Sequence, residues 1–175
     1  MASLSESLAE RLTAAWELAV WHSNKSSETG AGKALPLLDE LLAHERSGHR
    51  VQRAAVLKSE GLERLGQGGE AVSFAAGCFE RYRSDDLALA LSNLYAGEEG
   101  SGGKELSDLK RLALINGVLE GQGLEKIRIE NPGQALDIDN IYCPGCGPGV
   151  VADGPLVSVL MPAFNAEGCI AVALK

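Results

Sequence analysis

No apolar run in the chain approaches the roughly 20 residues that cross a bilayer. The opening Met1-Ala-Ser-Leu-Ser-Glu also lacks the basic stretch and apolar core of a secretory signal. Cysteine is scarce, with four in 175 residues at uneven spacing, which excludes a disulfide scaffold and fits a reducing compartment. The expected location is therefore cytoplasmic, with no transmembrane segment. Positive charge is short as well: 16 Lys and Arg stand against 24 Asp and Glu, a net charge of −8, which argues against a surface that tracks nucleic-acid phosphates. The first 150 residues hold no grouping of nucleophile, base and charge stabiliser, so no catalytic residue is assigned there. Gly66-Gln-Gly-Gly69 is no phosphate loop, because it lacks the Lys-Ser/Thr ending and has no strand before it.

What is present is a globular composition, 45% apolar and 23% charged, long enough for one domain or one domain and the start of another. Helical spacing dominates the first two thirds. Ser5 or Ser7 can cap a first helix in which Leu8, Leu12, Ala15, Trp16 and Ala19 share a face, running to about Trp21. The polar, Gly/Ser-rich stretch from His22 to Gly32 reads as a loop. A second helix is expected from about Lys33 to Arg46, with Leu35, Leu38, Leu41 and Leu42 on one stripe and Pro36 confined to its first turn.

The clearest unit follows: Arg50 to Gly66 and Glu70 to Tyr82, two helices joined by a short Gly-rich turn and so packed antiparallel. Close packing needs small residues where the axes approach, and Ser59, Ala71, Ala75 and Cys78 supply them. With Ala71 set at the twentieth position of a 34-residue unit, Ser59 falls at the eighth and Cys78 at the twenty-seventh. This pattern resembles a degenerate tetratricopeptide repeat, with Ala55 where a large aromatic is usual and Arg83 where the helix-ending proline is usual. Ser84-Asp85-Asp86 opens a fifth helix carrying Leu87, Leu91 and Leu94. After the flexible Gly97 to Gly103, a sixth runs from about Lys104 to Gly121. Trp16, Trp21, Phe74, Phe79 and Tyr82 are read as core residues. The fold class is thus mainly α, about six helices in antiparallel pairs, an α-solenoid or bundle.

Beyond Gly121-Gln-Gly123 the period changes. Leu124, Ile127 and Ile129 suggest a short strand, Asn131-Pro-Gly133 a turn, and Gln134 to Gly154 keeps no period. Cys143-Pro-Gly-Cys146 has the spacing of half a zinc site or of a redox pair. A structural zinc site needs four ligands, no second such pair exists, and His22, His44 and His49 are scattered among the helices. Plain thiols in a linker are the simpler reading, and no metal is assigned. The expected division is a helical domain over 1–123, an irregular linker over 124–154 and the start of another domain over 155–175.

That last segment reads strand, turn, helix start. Val157 to Met161 is apolar and uncharged, Pro162 ends the ladder, Asn165 can cap a helix, and Glu167 puts a carboxylate in its first turn. Leu156-Val-Ser-Val-Leu-Met-Pro-Ala-Phe-Asn-Ala-Glu167 resembles the opening strand of the family-2 glycosyltransferases, whose catalytic domain has the GT-A fold, an α/β/α sandwich. The resemblance covers about 20 of the 175 residues. It implies that Pro162, Ala163 and Phe164 lie against the base and ribose of a nucleotide-sugar, with Asn165 and Glu167 at the start of the following helix. Phe164 stands where Tyr is frequent, so a phenolic contact is lost. The resemblance also implies a divalent metal, Mg²⁺ or Mn²⁺, for a full-length enzyme that transfers sugar with inversion. The family's metal-binding motif and its base lie beyond the equivalent of Lys175, so the 175-residue chain is expected to lack transferase activity.

Two functions follow as expectations. In the first, the helices are the scaffold or docking region of a bacterial glycosyltransferase in polysaccharide or glycan synthesis, peripheral to the inner membrane in the full-length enzyme. Its partners are then the enzyme's own catalytic domain, another protein or a glycan acceptor. In the second, the chain is a free-standing repeat adaptor. An open reading frame continuing past Lys175 into an acidic metal motif favours the first, and a stop codon there the second. Without neighbouring strands, Val157 to Phe164 is expected to be disordered, packed on the helices or paired in a homodimer.

Overall fold

The computed structural model describes residues 2–25, 27–45, 48–97 and 103–145. They form six helices, α1 (Ala2–Ser23), α2 (Glu28–His44), α3 (His49–Arg64), α4 (Gly68–Tyr82), α5 (Asp85–Gly97) and α6 (Gly103–Gly121), followed by two short strands, β1 (Arg128–Ile129) and β2 (Ile141–Tyr142). Each helix packs on the next, α3 also lies against α5, and α1 touches α3. The core runs along this stack in three overlapping clusters.

The first cluster joins α1, α2 and α3 through Leu12, Ala15, Ala19, Leu38, Leu41 and Leu57. The α1 stripe is the one its spacing implies, with Leu8, Trp16 and Val20 half-buried beside it. Helix α2 sits between two neighbours and so needs two apolar faces. Ala34, Leu38 and Leu41 turn to α1, while Leu35 reaches the second cluster of Leu62, Ala71, Ala75, Leu91 and Leu94. A third cluster, Ala55, Val56, Leu87 and Ala90, lies between α3 and α5 with Phe74, Phe79 and Tyr82 over it. Ser59 and Ala71, set at the small positions of the repeat pattern, are completely buried, and the Ser59 hydroxyl is satisfied by donating to the Val56 carbonyl at 2.8 Å.

Two element boundaries differ from expectation. Helix α1 begins at Ala2, so Ser5 and Ser7 lie inside it rather than at its cap. Helix α2 begins at Glu28, inside the stretch expected as a loop: Ser27 is its N-cap and accepts a hydrogen bond from the Gly30 amide at 3.1 Å. Gly30 is buried because the α1–α2 turn folds over it. A Cβ there would stand 2.6 Å from the His22 carbonyl oxygen and 2.7 Å from that of Lys25. The glycine that signalled a loop is thus a close-approach residue inside a helix. Pro36 consequently lies within α2 rather than in its first turn, on the exposed face, where the Gly32 carbonyl that it leaves without an amide donor belongs to an exposed residue.

Helix ends are closed by specific groups. The α3–α4 turn places Gly66 at φ 75°, with the Gln67 amide donating to the Leu62 carbonyl at 3.0 Å. The Ser84 hydroxyl accepts from the Leu87 amide at the start of α5. Arg64 donates to the Ser23 carbonyl at 2.7 Å, so the end of α1 is tied to the end of α3. Trp21, expected in the core, is 54% exposed, and the Lys25 ammonium lies 3.3 Å from its ring centroid. It stands between buried Ala19 and buried Ser23 in the sequence, roughly 160° round the helix from each, on the face turned away from the helices that cover them.

After α6 the chain folds back. β1 and β2 pair antiparallel, Arg128 opposite Tyr142 and Ile129 opposite Ile141. Between them run a turn at Asn131–Gln134 and a single 3-10 turn at Ile138–Asn140, capped by the Asp137 carboxylate. Beyond Gly145, the segment read as strand, turn and helix start lies outside the described residues.

Candidate functional site

Helix α6 differs from the five before it in what it buries. Its apolar residues are half-buried or exposed, Leu106 at 46% and Leu109 at 53%, and the residues it does bury are polar, Ser107 and Asp108. Asp108, Arg111 and Asn116 lie on the side of α6 that meets the folded-back segment.

They read its backbone as a neighbouring strand would. The Asn116 side-chain amide donates to the Ile127 carbonyl at 3.0 Å and accepts from the Ile127 amide at 2.9 Å. About two helical turns toward the N-terminus, the Asp108 carboxylate accepts from the Leu136 amide at 3.0 Å, while Arg111 donates to the Leu136 carbonyl at 3.3 Å. Arg111 and Asp108 also pair with each other at 2.8 Å. Inside the segment, buried Asn140 donates to the Asn131 and Ala135 carbonyls and accepts from the Asn131 amide at 2.8 Å. The backbone groups of Ile127, Leu136 and Asn131 and the side chains of Asp108, Asn116 and Asn140 find partners in this staple, while the buried Arg111 Nε has none.

This rigid loop and the N-terminal half of α6 enclose a cleft of about 310 Å³. Its walls are chiefly apolar, from Leu109, Leu112, Ile129 and Pro132, with Lys104 and Glu105 at the rim. Asp108 also borders it, but both carboxylate oxygens are engaged. The chemistry on offer is burial of an uncharged apolar group. A nucleophile beside a base is not assembled in the cleft.

Two other hollows lie along the stack. One, of about 310 Å³, falls between α4, α5 and α6 and is lined by Phe79, Arg83, Ala88, Leu114 and Gly117. Arg83, at the end of α4, adopts the left-handed conformation with φ 49° and lays its guanidinium over the Phe79 ring. The other, of about 350 Å³, is bordered by Leu42, Phe74, Cys78, Arg81 and Tyr82. Burial pushes the Cys78 thiol above its ordinary value, opposed by the charges of Lys58 and Arg81, so it is protonated and unreactive near neutrality.

Of the residues singled out in the sequence, Cys143 is half-buried with its sulfur 3.7 Å from Glu125 Oε2, and Cys146 lies outside the described residues. His22 is half-buried with its ring edge-on to Trp21, whereas His44 and His49 are exposed. Among the described residues no group of three or more His, Cys, Asp or Glu side chains is placed to hold a metal ion. No helix among them is long and apolar enough to cross a membrane. Pro162, Ala163, Phe164, Asn165 and Glu167, the expected nucleotide-sugar contacts, all lie outside the described residues. Asp108, Arg111 and Asn116 were not singled out by spacing. Their signal is an Asp and an Asn set into a helix otherwise rich in leucine, at positions that face a neighbour.

No protein-family model, curated protein or solved structure matches the chain.

Proposed function

We propose that residues 1–145 are a non-catalytic helical scaffold, tetratricopeptide-like in its packing, that precedes a GT-A-type glycosyltransferase domain opening at Leu156. The observation that carries it is a division of labour along the chain. A helix stack with apolar clefts and, among the described residues, no catalytic grouping comes first, and the apolar run ending in Pro162-Ala-Phe-Asn165 comes after it in the sequence. Helices that pack on sequential neighbours, with Ser59 and Ala71 buried at the α3–α4 crossing, support the repeat reading. Surfaces of such stacks bind peptides, helices and domains.

On this reading the helices hold the enzyme to its own catalytic domain, to a protein partner or to the growing glycan. The nucleotide-sugar and its Mg²⁺ or Mn²⁺ belong to the full-length enzyme, which works in the cytoplasm, peripheral to the inner membrane. Pro162, Ala163 and Phe164 contribute one wall of the nucleotide site and nothing of the metal site.

Calorimetry on the whole chain tests the division. Titration with nucleoside diphosphates and Mg²⁺ gives no binding heat and sugar transfer stays at background, whereas the polymer acceptor or the transferase region gives a saturable signal. Sugar transfer by the 175 residues alone would sink the assignment of a non-catalytic scaffold. A free-standing repeat adaptor is the second reading, favoured by the fact that the described residues contain only the two-residue strands β1 and β2; for that, a peptide partner binds and neither acceptor nor transferase region does.

A further inference from the structure

The hollows along the helix stack differ in the charge at their walls. The cleft beside α6 has Lys104 and Glu105 together at its rim, and the hollow between α4, α5 and α6 has Arg83 together with Asp85. The hollow of about 350 Å³ between α2 and α4 is bordered by Arg81 and, among the described residues, by no carboxylate. That wall runs against the chain's net charge of −8.

Helical spacing builds it. Ser73, Gly77 and Arg81 form one row along α4 and Phe74, Cys78 and Tyr82 the next, each at intervals of four residues. The middle of both rows is small, Gly77 and Cys78, and a ring stands at either end of the second. A Cβ placed on Gly77 would meet nothing within 4 Å, so the space beside it is open. Leu42 of α2 closes the other side. The outcome is a cup with two aromatic ends and a half-buried thiol, in the size range of small-ligand sites.

Two cations stand over these rings. The Lys58 ammonium, reaching from α3, lies 4.5 Å from the Phe74 ring centroid, and the Arg81 guanidinium lies 5.3 Å from that of Tyr82. Both charges act on the Cys78 thiol, which places them on the same side of the hollow's lining, although burial outweighs them there. Lys58 is already paired with Asp39 at 2.6 Å. Arg81 makes no ion pair among the described residues, so its guanidinium donors are open to a ligand.

We infer that this hollow binds a small organic anion, a flat apolar body bearing one carboxylate, with the body between Phe74 and Tyr82 and the carboxylate on Arg81. Burial of the body removes apolar walls from water, and the carboxylate accepts charge-assisted hydrogen bonds from the guanidinium, with Lys58 adding attraction across the hollow. The polar ribose and diphosphate of a nucleotide have no counterpart in such walls. The site is made by α2, α3 and α4 alone, so it stands whether or not a transferase domain follows the helices.

Protection of Cys78 tests it. The full chain with Cys143, Cys146 and Cys169 replaced by Ser keeps Cys78 as its one thiol, which reports on the hollow directly. At mildly alkaline pH, 2-naphthoate slows alkylation of Cys78 by the neutral reagent iodoacetamide, and the uncharged 2-naphthamide protects roughly tenfold more weakly, the factor that one charge-assisted hydrogen bond supplies. Arg81→Gln removes that difference, Arg81→Lys retains part of it, and Arg83→Gln, beside the other hollow, leaves it intact. Equal protection by acid and amide overturns the inference, as do protection by neither, an undiminished preference in Arg81→Gln, and the same loss in Arg83→Gln. Calorimetry with 2-naphthoate needs no thiol chemistry. Gly77→Leu fills the hollow and abolishes the binding heat, while the urea midpoint does not fall, because leucine is the better helix former. Heat that survives in the filled variant puts the anion elsewhere and counts against the site.

Discussion

The helices α2 to α5 and the α6–hairpin region solve the same problem with opposite chemistry. In the former, Leu38, Leu41, Leu87 and a set of buried alanines exclude water from between helices, and the fit comes from small residues at the crossings. In the latter, Asp108, Arg111 and Asn116 hold two residues of irregular backbone by hydrogen bonds, and the apolar side chains of α6 stay partly in water. Apolar packing is non-directional and stabilises whatever excludes most water. Side chains that read an N–H and a C=O fix one geometry, which suits a loop that must form the wall of a cleft.

Mutations that separate the two regions should differ in kind as well as size. The largest effect is expected from Leu38→Ala, which empties a fully buried site in the α1–α2–α3 cluster and costs about 3 kcal/mol, read as a fall in the urea midpoint of the whole chain. Asp108→Ala strands Arg111 and the Leu136 amide and costs about 2 kcal/mol, but locally. Amide exchange at Leu136 accelerates while the α2–α5 amides keep their protection; loss of protection throughout would erase the distinction between the regions. Gly30→Ala gains helix propensity but forces a methyl onto two carbonyl oxygens, a net loss of about 1.5 kcal/mol in the same denaturation experiment. The smallest is Asn116→Ala, about 1 kcal/mol, confined to exchange at Ile127.

The two regions also differ in how much of them could be read from the chain. The bodies of the six helices and the turn at Gly66 follow from spacing and turn chemistry, although α3 is buried on several sides, against α2, α4 and α5, rather than along one stripe. The start of α2 was not legible: Gly30 is a loop signal by itself, and only the turn folded over it explains the residue. The cleft was less legible still. Asp108 and Asn116 are ordinary helix-surface residues until the partner backbone, at Leu136 and Ile127, is brought beside them.

The sequence alone determined the helical character of the chain, the tight turn at Gly66, the small residues at the α3–α4 crossing and the apolar composition from Leu156, since each depends on contacts or conformations local to a few residues. Tertiary structure decided that Gly30 is a point of close approach, that Trp21 faces solvent, and that a polar stripe on α6 staples the following loop into the wall of a cleft. Those outcomes depend on which surfaces meet, across 5 to 8 residues at Gly30 and across 11 to 28 at the α6 staple, and residue spacing carries no record of that meeting.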